Sequence, residues 1–150
     1  MPSDEDANKE LVGSWVNDVL RRPAKNAGEW LTWVRRRAPE YWDENYVAHH
    51  DPTAKGREGL VDRLAALSSA FSNTQVELLL LFAKGDVVSD CLRITGDHTG
   101  SFLGIPPSGK KVSWLQNEIF RLKGGRIVEG WVTRDWLGLL QQLGALKTAR

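Results

Sequence analysis

The sequence predicts an α+β fold, with N-terminal helices packed on a curved antiparallel sheet. Three observations carry this. Apolar residues recur at helical spacing up to about Phe71. The period then changes to strand-like runs. Two turn signals, Lys84-Gly85-Asp86 and Gly124-Gly125, split those runs into two hairpins.

Residues 5–22 read as a helix with Leu11, Val12, Trp15, Val16, Val19 and Leu20 on its apolar side, ended by Pro23. Residues 29–37 form a second, with Trp30, Leu31, Trp33 and Val34 apolar and Pro39 blocking extension. Its basic end, Arg35-Arg36-Arg37, suits the negative pole of a helix. "YWDENYVAHHDP" reads as a short turn and an extended segment closed by Pro52. "GREGLVDRLAALSSAFS" is a third helix, striped by Leu60, Leu64, Leu67 and Phe71. A hairpin then runs from Thr74 to Phe102, "GIPPSGKK" is a loop, and a second hairpin covers residues 112–135. "LGLLQQLGAL" closes the chain as a short helix ending near Gly144. A sheet wrapped over helices leaves a cone-shaped hollow, the natural place for a ligand.

The 150 residues suit one domain spanning 1–150, and a hydrophobic content of 41% suffices for a core. With 20 basic and 19 acidic side chains, no global field draws the chain to nucleic acid or to a membrane surface. One cysteine, Cys91, excludes an internal disulfide and suits a reducing compartment. No apolar run approaches the roughly 20 residues that span a bilayer. The acidic start "MPSDEDANKE" is unlike a secretory signal, so a cytoplasmic location is expected. Metal binding is not expected, because no HxxxH or HxH spacing exists. "GIPPSGKK" lacks the spacing of a phosphate loop, and no serine stands in a GxSxG context.

Seven tryptophans fill a core or line a cavity for a ring-shaped ligand. Trp33, Trp114 and Trp131 are the ones assigned to substrate. Pairing Lys123 with Arg126 fixes a register for the second hairpin. That register puts Trp114, Gln116, Glu118, Trp131, Thr133 and Asp135 on one face, as a polar-lined cavity requires. Leu115, Asn117, Ile119, Arg121, Val128, Val132 and Arg134 fall on the other. Gln116 and Glu118 either orient Asp135 and the substrate or form a solvated row. Tyr46 shares a face with His50 and either donates a phenolic hydrogen bond or packs in the core. Asp135 precedes an apolar helix, where Asp is a favoured N-cap. Burial beside tryptophans would instead raise its pKa and fit it for proton transfer.

"YVAHHDP", "GDHTGSFLGIPPSGKKV" and "IFRLKGGRIVEGWVTRDWLGLLQQLG" together resemble the SnoaL-like polyketide cyclase family, within the NTF2-like superfamily of cone-shaped α+β barrels. The resemblance covers roughly residues 40–146. It implies cofactor-independent acid/base catalysis on a hydrophobic, polyketide-like small molecule, by an intramolecular aldol-type cyclase or isomerase. It also implies that Asp135, four residues after Trp131, is the general acid/base. His50, in the family's "HDP", and His98, in "GDHTG", are then its helpers. A homodimer paired through the outer face of the sheet is the implied assembly. The same fold hosts epoxide hydrolases and non-catalytic ligand-binding modules, which stand as alternatives. Asp97, Ser108, Arg134 and Trp136 depart from the family pattern, and the last two alter the shape and charge of the pocket.

Overall fold

A computed structural model describes residues 3–146. Helix α1 (Asp4–Ser14) starts on Ser3. The Ser3 hydroxyl accepts from the Asp6 N–H, and the Asp6 carboxylate accepts from the Ser3 N–H, a reciprocal cap. The chain continues as a wider π-helical stretch, Trp15–Leu20, that buries Trp15, Val16 and Val19. The predicted single helix over 5–22 is therefore two pieces. Helix α2 (Ala27–Arg37) is capped by the Asn26 side chain on the Glu29 N–H and ends in its three arginines. Strand β1 (Trp42–Ala48) and helix α3 (Gly56–Ala70) follow. Then come β2 (Phe71–Lys84), β3 (Val87–His98), β4 (Lys111–Lys123) and β5 (Arg126–Arg134), and helix α4 (Trp136–Gln142) closes the fold.

The five strands lie in the order β1-β5-β4-β3-β2. The last four form the expected antiparallel meander. The sheet is nevertheless mixed, because β1 joins the far edge parallel to β5. The chain reaches that edge before α3 and the meander are made, so the two strands meet with the same direction. One buried cluster unites the elements. Val12, Val16, Val19, Val34 and Val61 from the helices meet Trp42, Val88, Leu92, Phe120 and Ile127 from the sheet.

A β-bulge decides which side chains face this core. Lys123 pairs with Arg126 and Leu122 with Ile127, as the predicted register requires, but Arg121 pairs with Glu129. Val128 is the extra residue, and every later pair is shifted by one. Gly130, Val132 and Arg134 therefore turn inward, opposite Phe120, Glu118 and Gln116. Trp131 and Thr133 turn outward beside Ile119 and Asn117. The expected inward placement of Trp131, Thr133 and Asp135, and the outward placement of Val132 and Arg134, are corrected on this ground. Gly130 sits where a side chain would not fit: a Cβ there would lie 2.2 Å from the Tyr46 hydroxyl. At the other end of the sheet Gly100 lies against α3, and a Cβ there would stand 2.0 Å from the Ser69 carbonyl oxygen. That approach locks the loop after β3 in place. Among the described residues, no helix is long and apolar enough to cross a membrane.

Candidate functional site

Strand alternation places Trp114, Gln116, Glu118 and Phe120 in one inward row on β4, all buried. β3 adds Val88, Asp90, Leu92 and Ile94 opposite them, with Asp90 directly across from Glu118. Two aromatic clusters bracket the polar middle of these rows. At one end, Trp42 meets Trp15, Tyr46 and Phe120 edge-on at ring separations of 5.4, 4.7 and 5.3 Å. At the other, Phe71 lies 5.1 Å from Trp114 and 5.7 Å from His98, while Trp136 lies 5.6 Å from Trp114.

Between them lies a chain of polar groups. The Arg134 Nε–H donates to Gln116 Oε1 at 2.9 Å, and the Gln116 amide donates to Glu118 Oε2 at 2.9 Å. Both Asp90 oxygens are buried and receive no N–H or hydroxyl donor among the described residues; the group within reach of them is the Glu118 carboxyl. Burial, and then the neighbouring Glu118, drive the Asp90 carboxyl well above the usual carboxylate range. Burial also raises Glu118, against the opposing pull of Gln116 and Arg134. Two carboxyl groups face each other across adjacent strands in a dry surround, where both cannot ionise at low cost. A proton shared by the pair relieves that cost. Tyr46 stands over Gly130 beside this pair, and burial followed by the charge of Glu118 raises its phenol.

His50 is at the rim. It is exposed on one side and accepts the Val132 N–H on Nδ1 at 3.2 Å. Burial of its enclosed side, and next the Arg134 charge, hold it below the ordinary imidazole value. His98 is fully buried; its Nδ1 accepts the Ser108 N–H at 3.2 Å and lies 2.9 Å from the Ser108 hydroxyl. This bond to a backbone donor leaves Nε2 to carry the proton, and Nε2 has no partner among the described residues.

A cleft of about 390 Å³ runs from the surface between β1 and the start of α3 and reaches Tyr46, Ala48 and Ala54. Among the described residues, no group of three or more His, Cys, Asp and Glu side chains is placed to hold a metal ion.

Sequence comparison matches residues 18–143 to the SnoaL-like polyketide cyclases. The chain belongs to that family. Aklanonic acid methyl ester cyclase DnrD of Streptomyces peucetius is 30% identical over 96 residues, 63% of this chain and 66% of that protein. Its counterpart DauD of Streptomyces sp. strain C5 is also 30% identical over 96 residues, 63% of this chain and 60% of that protein. The chain thus spans just under two thirds of these relatives' length. Among solved structures, TsrD of Streptomyces laurentii superposes with a TM-score of 0.77 at 25% identity, covering 97% of this chain and 100% of that one. A SnoaL-like protein of Jannaschia sp. CCS1 gives 0.78 at 24% identity, covering 98% and 99%. These likenesses carry the NTF2-like fold.

Beyond His50 and His98, the structure separates the sequence-predicted residues into four places. Gln116 and Glu118 meet in the buried network, with Tyr46 beside them and Trp114 at its edge. Trp131 stacks on His49 on the outer face, 4.6 Å apart and 9° from parallel. Trp33 lies in α2 between Arg22 and Arg37, whose Cζ atoms stand 3.7 and 4.9 Å from its ring centre, and takes no part in the network. Asp135, expected in an apolar pocket, is exposed at the start of α4 and accepts the Gly138 N–H at 2.9 Å. The bulge and the end of β5 carry it past the buried network.

Asp90 escaped the sequence reading. Its signal was there: "VVSDCLRI" alternates Val88, Asp90, Leu92 and Ile94, which sets a carboxyl on the apolar face. Arg134 escaped because the bulge reversed its face.

Proposed function

We propose that the chain catalyses cofactor-independent proton transfer on a small poly-carbonyl molecule of the polyketide kind, closing a ring by intramolecular aldol addition or shifting a double bond. The Asp90–Glu118 pair is the proton-transfer site. The observation that carries this is a buried carboxyl pair, directly opposed on neighbouring strands, between two aromatic clusters. The ionised member takes a proton from the carbon next to a carbonyl. The enolate carbon bonds to a second carbonyl carbon, and the protonated member returns a proton to the new alkoxide. Protons balance over the cycle. Tyr46, kept protonated by its surroundings, is placed to donate to a developing oxyanion. His50 at the rim, and His98 with its free Nε2–H, are secondary donors. The names of the curated relatives direct the first assays to aklanonic acid and its methyl ester.

The test is turnover of these substrates, followed by product analysis, in wild type, Glu118→Gln and Asp90→Asn. Each variant is expected to lose at least about 100-fold, the usual worth of a positioned acid/base group. A loss under tenfold in both, with folding intact, rejects the assignment. A second reading is addition of water to an epoxide. It is favoured by the same two carboxyls, which can divide the roles of base and acid. Incorporation of labelled oxygen from solvent into product distinguishes it from ring closure.

A further inference from the structure

We infer that Arg134 is the anchor for a substrate carboxylate, so that the chain selects an aromatic carboxylic acid over its ester. This rests on the proton-transfer reading above for the identity of the site, and it adds the recognition group. Four observations carry it. The bulge at Val128 turns Arg134 inward, opposite Gln116 and next to the carboxyl pair. Its Nε–H is engaged by Gln116 at 2.9 Å, which fixes the plane of the guanidinium and leaves both Nη groups without a protein acceptor among the described residues. No carboxylate lies within ion-pair distance of it among the described residues. The acids whose charges it senses make no direct contact with it: Asp51 is bonded to Arg63 and Thr53, and Glu118 is joined to it only through the neutral Gln116 amide.

A half-buried guanidinium with no carboxylate in direct contact has its desolvation offset only in part by Glu118, which lies across the Gln116 amide. Two parallel Nη–H donors match the two oxygens of a carboxylate and give a neutral ester far less. The surroundings specify the rest of the ligand. The Trp136 ring centre lies 5.6 Å from the Arg134 Cζ, and Trp136 packs on Trp114 and Phe102, so the guanidinium borders an aromatic cluster with which the rings of a ligand can pack. Arg134 is itself partly exposed, and the neighbouring His50 is exposed.

The probes are anthraquinone-2-carboxylate and its methyl ester, titrated into the whole chain and followed by tryptophan fluorescence and calorimetry. Wild type is expected to bind the acid at least tenfold more tightly than the ester. Arg134→Gln is expected to remove that preference by weakening the acid alone, while Arg134→Lys retains part of it. Equal affinity for acid and ester in wild type, or binding of neither, overturns the proposal, and this comparison holds even if Arg134→Gln fails to fold. The same preference is expected in Glu118→Gln. Acid selectivity there, without turnover, separates a failure of the anchor from a failure of the proton-transfer assignment.

Discussion

Single side chains set the chemistry. A carboxylate at the surface and a carboxyl in the dry interior are different reagents, and this chain holds both. Asp135 is exposed and bonded to the Gly138 N–H, which is the environment of a helix cap. Asp135→Asn is expected to keep turnover within a factor of ten, since Asn caps as well and the group does not handle the proton. Asp135→Ala is expected to lower stability by about 1 kcal/mol, measured by denaturant unfolding. Asp90 is the opposite case. Its folded-state pKa lies above the unfolded value of 3.8, so the folded chain holds a proton that the unfolded chain releases. Stability is expected to fall as pH rises above the ordinary carboxyl range, by at most about 1.4 kcal/mol per pH unit for one proton. Unfolding curves between pH 5 and 9 should show this decline, and Asp90→Asn, which imitates the neutral acid, should flatten it and raise stability at neutral pH.

At the level of elements, β5 is the decisive piece. The helices, the two hairpins, both turns and the inward row Trp114, Gln116, Glu118 were legible from spacing and turn residues alone. The bulge was not. Alternation is a two-residue period, and one extra residue leaves the strand pattern intact while reversing every face beyond it. Arg134 and Trp131 change sides for that reason, and Asp90 meets Glu118 only through the β3–β4 register, which no turn signal in the long intervening loop fixes. The one local hint is Gly130, a glycine inside a strand, which marks a close approach of another group. Gly130→Ala tests this. Its methyl group would meet the Tyr46 hydroxyl at 2.2 Å, so about 1–3 kcal/mol of stability is expected to be lost in unfolding experiments. Tyr46→Phe in the same background should restore part of it by removing the clashing oxygen.

The whole molecule buries its polar chemistry on one side of the sheet and exposes apolar surface on the other. Leu80, Phe82, Leu115 and Ile119 are 60%, 58%, 42% and 45% exposed, and Phe82, Ser89, Ile119 and Trp131 line up across four strands. Such a band is unfavourable in water unless covered. A second copy of this chain is the expected cover, and sedimentation should give twice the 16.8 kDa of one chain. Ile119→Glu is expected to shift the particle to a monomer. Proton transfer by the buried pair does not depend on that assembly; it requires that one carboxyl of Asp90 and Glu118 stay protonated at neutral pH. Infrared difference spectra of wild type against Asp90→Asn at pH 7 measure this directly. A protonated-carboxyl carbonyl band present in wild type and lost in the variant is the expected result. A wild-type spectrum with carboxylate bands alone would contradict the account.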